Sequence, residues 1–384
     1  MPERLRAAFY RGGTSKAVVF NDRDLPAGRA LRDRIFLHIL GSPDAYGRQL
    51  NGMGGGLSSL SKVVIVKPSA RDDADVDYTF VQIAVDEPIA DYGSACGNMS
   101  SCVGPFAVDE GMVAVDAGQT EALVRIFDTN TERHYHARFP LRNGRAVEEG
   151  DFSIPGVSGT GARVTLNFVA PGGAATGALL PTGNAVDVVE VKGIGAVEMS
   201  LVDAANPVVY VNAANLNRTA TERPQDLDND PAFMDRIEQI RRAGAIAMGM
   251  ADTPENVTRS NPKVAMLASP QDFAALDGSR YAPGSHDISV RLVSMGNFHR
   301  AITLTGGMCT AVAAQIPDSL VNRIAKPQGQ ELRIANPSGV LPTTADVRML
   351  PSGPEAVSAG TFRTQRRMME GAVLYPSAFL ENAE

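Results

Sequence analysis

Tryptophan is absent from this 384-residue chain and aromatic residues make up only 6% of it, which leaves few flat platforms on which a base or sugar could stack. Cysteine is nearly as scarce. Three thiols, Cys96, Cys102 and Cys309, cannot build the disulfide framework of a small secreted fold, and they are expected to be free in a reducing compartment. Long apolar runs are missing too: no stretch approaches the roughly 20 residues that span a bilayer. Residues 1–20 carry arginines but no apolar segment of signal-peptide length. An integral helical membrane protein is thereby excluded, and the cytoplasm is the expected location. The 36 Lys and Arg against 43 Asp and Glu give a net charge of −7, which works against nucleic acid and anionic membranes, because both require clustered cations.

Several catalytic signatures are also missing. His134 and His136 lie two apart on an expected strand, but no acid or cysteine accompanies them at ligand spacing, so no metal site is expected. There is no Gly-x-Ser-x-Gly elbow for a serine hydrolase. The glycine-rich stretches match neither the phosphate loop nor the dinucleotide fingerprint.

What is present suits a soluble globular protein of about two domains: 44% hydrophobic and 21% charged residues, with 37 glycines. Alternating apolar patterns predict strands at 17–20, 62–66, 77–85, 123–127, 163–168, 186–191, 208–211 and 288–295. Helical signals are fewer. Leu31, Ile35 and Ile39 share one face, Phe233, Ile237 and Ile240 follow the Asp230-Pro231 start, and small-residue stretches follow Gly97 and Gly306. Residues 217–230 read as a surface loop. The motif Cys96-Gly97-Asn98 and the motif Thr305-Gly306-Gly307 each lead from a strand into a small-residue helix, and the openings around Gly12-Gly13 and Ala205-Asn206 echo one another. This suggests two similar half-chains meeting near Leu180-Pro181-Thr182-Gly183-Asn184.

Cys96 is the sharpest candidate for chemistry. A thiol at a helix N-terminus has its thiolate stabilised, which makes it a base or nucleophile near neutral pH, and Gly97 and Asn98 leave backbone N–H groups for a carboxylate. Cys102, one turn on among apolar neighbours, reads as a core residue. Lys62 joins a glycine-rich loop to an apolar strand and would reach into whatever that loop cradles, although a lysine read alone at such a position is more often a solvated strand-end residue. The loops Arg11-Gly12-Gly13-Thr14-Ser15-Lys16 and Asn51-Gly52-Met53-Gly54-Gly55-Gly56 offer backbone N–H groups suited to a small anion, a carboxylate rather than a nucleotide.

Taken together, Arg11-Gly12-Gly13-Thr14-Ser15-Lys16, Gly41-Ser42-Pro43-Asp44, Gly52-Met53-Gly54-Gly55 with Ser61-Lys62, Asp75-Val76-Asp77-Tyr78, Cys96-Gly97-Asn98 with Val103-Gly104-Pro105-Phe106, and Leu180-Pro181-Thr182-Gly183-Asn184 resemble the methylaconitate isomerase (PrpF) family over almost the whole chain. That family is a branch of the diaminopimelate epimerase-like superfamily. The resemblance implies an α+β fold of two pseudo-symmetric lobes, each a curved, mostly antiparallel sheet around a central helix. The lobes are expected at 1–184 and 185–384, with the last residues returning to the first. It also implies a cofactor-independent isomerase that moves a proton and a C=C bond within a small unsaturated di- or tricarboxylate such as 2-methylaconitate or aconitate. Methylitaconate isomerisation and 4-oxalomesaconate tautomerisation are alternatives within the class. The expected partner is that small acid, with a homodimer as the assembly considered and neither nucleic acid nor membrane involved.

In the epimerase branch both glycine motifs carry a cysteine. Here Thr305 stands at the second position, which disfavours two-thiol epimerisation of an amino acid. The family's Ser-Lys motif matches Ser61-Lys62, so the resemblance pairs Lys62 with Cys96 as acid and base, without deciding which of them abstracts the proton. The expected carboxylate shell is Thr14, Ser15, Met53, Gly54, Gly97, Asn98, Thr305, Gly306 and Gly307. A non-catalytic carboxylate-binding protein is the contrasting class, distinguishable because it would not need an activated thiol.

Overall fold

The computed structural model describes residues 2–93, 95–325, 327 and 331–381. The chain forms two compact units, Met1–Asn167 with Phe362–Glu384, and Phe168–Thr361. The returning C-terminal segment includes the strand Gln365–Tyr375, which pairs antiparallel with Glu3–Gly12 along its whole length. Residues 168–184, expected with the first lobe, belong to the second unit. Asp203 explains why: its carboxylate accepts the N–H groups of Ala175 and Thr176, and its N–H donates to Leu179 O.

In the first unit, the hairpin Glu3–Gly12 and Ser15–Asn21 is followed by Lys62–Pro68, parallel to the second hairpin strand. Val76–Ile83 then runs antiparallel to Lys62–Pro68 and parallel to Glu121–Asp128, which pairs antiparallel with Arg133–Arg142. One face carries the helix Arg29–Leu40, which buries Leu31, Ile35, Phe36, Ile39 and Leu40 and ends at left-handed Gly41. The helix Ser100–Asp109 is buried over Ser100–Val108. It approaches the sheet closely enough that a Cβ on Gly104 would lie 2.8 Å from the Phe139 ring, so only a small-residue helix fits there.

The second unit repeats the plan. Gly195–Ala204 and Asn206–Asn212 form the hairpin, Lys263–Ala268 is parallel to the latter, Ile288–Ser294 antiparallel, Leu332–Asn336 parallel to that, and Gly339–Leu350 antiparallel. The helix Pro231–Ala247 covers one apolar cluster with Phe233, Ile237 and Ile240. The helix Leu304–Gln315 fills the other with Met308, Cys309 and Val312. Both starts are capped, by Asp230 accepting from Phe233 N and by Thr303 accepting from Gly306 N. The expected surface loop at 217–230 is only partly one: it contains the short helix Pro224–Asp228 and buries Ala220 and Leu227.

The architecture is thus α+β, with two units of like topology, each a mixed, mainly antiparallel sheet holding a buried helix. Among the described residues, no helix is long and apolar enough to cross a membrane.

Candidate active site

Lys62 is the first residue of a strand buried over its first five residues and is itself 7% exposed. Its Nζ donates to Gln82 Oε1 at 2.5 Å, across the register that pairs the two residues. The amide cannot turn over. Gln82 Nε2 donates to Ser58 O and Ser61 O, both at 3.0 Å, and to Ile83 O at 3.3 Å, so only Oε1 is left to face the amine. The ammonium also stands 4.9 Å from the centroid of the Phe80 ring, within cation–π range. Burial pulls the Lys62 pKa below its ordinary value, and the neighbouring charge of Cys96 opposes the shift.

Cys96 is half-buried. Its carbonyl accepts Ser100 N at 2.9 Å and Ser100 Oγ at 3.1 Å, and Tyr78 Oη lies 3.5 Å away. The thiol therefore heads an α-turn continuous with the buried helix. N–H groups in such a first turn have no acceptor within the helix.

The Asn98 side chain links two further elements to this turn. Its Nδ2 donates to Thr14 Oγ1 and its Oδ1 accepts Arg363 Nε, each at 3.1 Å. The hairpin presses against it: a Cβ on Gly13 would lie 2.3 Å from Asn98 Oδ1, and Gly13 has φ +52°, so a side chain here is blocked by both space and conformation. Burial lowers the pKa of Arg363 to about 10, against the charge of Cys96. The thiol is thus within electrostatic reach of two largely buried basic side chains, Lys62 and Arg363. Ser15, 3% exposed, closes the same hairpin opposite Gly12.

Arg363 and Gln82 escaped the sequence reading. Gln82 was legible in principle, as the cross-strand neighbour of Lys62. Arg363 lies 265 residues from Asn98 and carries no motif.

The second glycine loop does other work than expected. Met53 N donates to Ile39 O and Gly54 N to Leu40 O, while Gly52 N and Gly56 N go to Gln49 O and Gln49 Oε1. These N–H groups satisfy the last carbonyls of the helix Arg29–Leu40 and the loop itself, not an anion. Gln49, 1% exposed, also accepts Ser61 Oγ at 2.6 Å, so the loop fixes the residue preceding Lys62.

Thr305, Gly306 and Gly307 open the buried helix of the second unit. Gly307 N donates to Thr303 O, as Ser100 N donates to Cys96 O. Gly306 N and Gly307 N are both taken up by Thr303, through its hydroxyl and its carbonyl.

The chain is 37% identical to 3-methylitaconate isomerase of Eubacterium barkeri, with 98% of each covered. It is 36% identical to 2-methyl-aconitate isomerase of Shewanella oneidensis, with 97% of each covered, and 37% identical to 4-oxalomesaconate tautomerase of Pseudomonas putida, with 96% of each covered. A crystal structure of methylitaconate-delta-isomerase matches 99% of this chain and 97% of its own, at 37% identity and a TM-score of 0.91. The protein is an isomerase. Residues 3–376 match the family described as PrpF protein, and the chain belongs to the PrpF family.

Proposed function

We propose that this isomerase shifts a proton, and with it a C=C bond, within a small unsaturated di- or tricarboxylate of the 2-methylaconitate or aconitate type, with Cys96 and Lys62 as the acid–base pair. The observation that supports the reading is the half-buried thiol at the head of a helical turn, with the buried amine of Lys62 within its electrostatic reach. It stands in a chain that resembles methylaconitate and methylitaconate isomerases from end to end.

In the forward step one of the pair takes a proton from an allylic carbon. The C–H electrons enter a dienolate while an S–H or N–H bond forms. The partner then gives its own proton two carbons along, and no electrons leave the system. Burial favours the neutral amine, while bound carboxylates favour the ammonium. Arg363, and N–H groups of the first turn at Gly97 and Asn98, supply the positive potential that offsets the substrate's charge and holds the dienolate. Thr14 and Asn98, joined by their hydrogen bond, form the polar wall beside the thiol. The chemistry needs no group beyond these side chains.

Two-thiol epimerisation of an amino acid is disfavoured because Thr305 stands in the second glycine motif, where the epimerase branch carries its second thiol. The test is a panel of cis- and trans-aconitate, 2-methylaconitate, methylitaconate and oxalomesaconate in deuterated water, followed by proton NMR. Deuterium should enter one acid at an allylic carbon, with undiminished rate after chelation. Failure of every acid to exchange or isomerise would overturn the reading.

A further inference from the structure

Arg11 lies in a poor place for its charge. In the antiparallel pair of Glu3–Gly12 with Gln365–Tyr375 it stands directly opposite Arg366, and like charges facing one another across a strand pair are destabilising. Burial and Arg366 both pull its pKa below the ordinary value, and Glu148 offsets them only in part. Among the described residues no carboxylate lies within ion-pair distance of Arg11. Its guanidinium engages neutral acceptors instead. Arg11 Nη1 donates to Gly13 O, Thr364 O and Thr364 Oγ1, each at 3.0 Å.

Those acceptors belong to the two segments that grip Asn98. Gly13 precedes Thr14 and Thr364 follows Arg363, and the segments also meet directly, Gly13 N donating to Thr364 O at 2.9 Å. Thr14 Oγ1 accepts from Asn98 Nδ2 and Arg363 Nε donates to Asn98 Oδ1, each at 3.1 Å. Both grips are needed. The amide keeps one orientation only while an acceptor faces its nitrogen and a donor faces its oxygen, so 13–14 and 363–364 must hold their spacing. The hairpin rests on this turn without slack, since a Cβ on Gly12 would lie 2.7 Å from Asn98 O. One guanidinium nitrogen thus ties both segments at once.

We propose that Arg11 is a positioning residue for the reaction: it holds Thr14 and Arg363 at the spacing that locks the Asn98 amide and keeps the Arg363 guanidinium beside the turn that bears Cys96. The inference deepens the functional reading above and rests on it. Asn98 stands two residues past Cys96, and the guanidinium bonded to its side chain is within electrostatic reach of the thiol. The other titratable groups facing that thiol are Lys62, and Tyr78, Tyr135 and Cys102, which burial keeps neutral. Displacing Arg363 therefore makes the thiolate harder to form.

The test reads the thiol without any substrate. Alkylation of the native full chain by iodoacetamide, followed from pH 6 to 10, gives the midpoint at which Cys96 ionises. Arg11→Met should raise that midpoint by about half a unit or more. Arg366→Gln, the same loss of charge directly across the strand pair, should leave it unmoved. Asn98→Ala should raise it as well, and in that background Arg11→Met should add less than about a third of its separate effect, because the link it works through is gone. A general loss of structure would add in full. An unmoved midpoint in folded Arg11→Met, an equal shift in Arg366→Gln, or full additivity with Asn98→Ala would overturn the proposal. If Arg11→Met does not fold, Thr364→Val, which removes one acceptor and no charge, enters the same cycle with Asn98→Ala, and additivity there overturns it too. Failure of the acid panel to isomerise would instead overturn the function and leave a measured coupling of Arg11 to Asn98 standing.

Discussion

Gln82 Oε1 takes its hydrogen bond from Lys62 Nζ at 2.5 Å, with the amide braced from behind by the carbonyls of Ser58, Ser61 and Ile83. A neutral acceptor in a locked orientation holds the amine without charging it. Gln82→Glu would place a carboxylate there and favour the ammonium. The basic form of Lys62 would then appear only at higher pH, and the acid limb of the kcat/KM profile should move up by about one unit or more. An unmoved limb would mean that Lys62 does not act as the base.

Replacing Cys96 tests the other half of the pair. Cys96→Ser should lower kcat by roughly 10²- to 10⁴-fold, the usual worth of a positioned acid or base, with the melting temperature little changed because the residue is only half-buried. Iodoacetamide should find one reactive thiol in the native chain and three after unfolding. Cys102 and Cys309 are fully buried, and burial raises both thiols, Cys309 to about 12.

Lys62 also leaves a signature in stability. Its folded pKa is pulled down by burial from an ordinary 10.5, so between the two values the unfolded chain holds more protons and stability rises with pH. Below that window both states are protonated and the buried charge destabilises the fold by its full amount. Relative to wild type, Lys62→Met should therefore melt highest near neutrality, and its advantage should shrink as pH climbs toward 10. A gap that widens instead would show the charge of Cys96 outweighing burial. Melting curves across pH 6 to 10 make the comparison.

Gly13→Ala should cost activity out of proportion to stability. The left-handed backbone costs roughly 1 kcal/mol for alanine, and exposed Gly118, with φ +84° and nothing within 4 Å of an added Cβ, isolates that term as Gly118→Ala. At Gly13 the new methyl also displaces the Asn98 amide and presses on Arg363 Cδ at 3.1 Å. Both variants should lose a few degrees of melting temperature, while Gly13→Ala alone should lose kcat/KM by tenfold or more.

Much of this was legible in the residues. The stripe Leu31, Ile35, Ile39 and the Asp230-Pro231 start gave two helices because periodicity and capping are local properties, and the two units share their strand topology. What stayed hidden depended on distant partners. Arg363 reaches Asn98 only after a second unit has intervened, and the Met53-Gly54 loop could not be told from an anion cradle until the helix end it satisfies was known. The boundary near residue 184 was misplaced by Asp203, whose carboxylate gathers 175 and 176 from across a sequence gap that no pattern marks.

The strand Gln365–Tyr375 zips onto Glu3–Gly12 and brings Arg363 with it. Those residues leave the ribosome only after all of Phe168–Thr361 has been made, so the second unit can fold while the first waits with an open edge along its opening strand. Catalytic competence would then mature last, and a chain stopped short of residue 362 would yield a finished second unit tethered to a half-zipped, aggregation-prone partner.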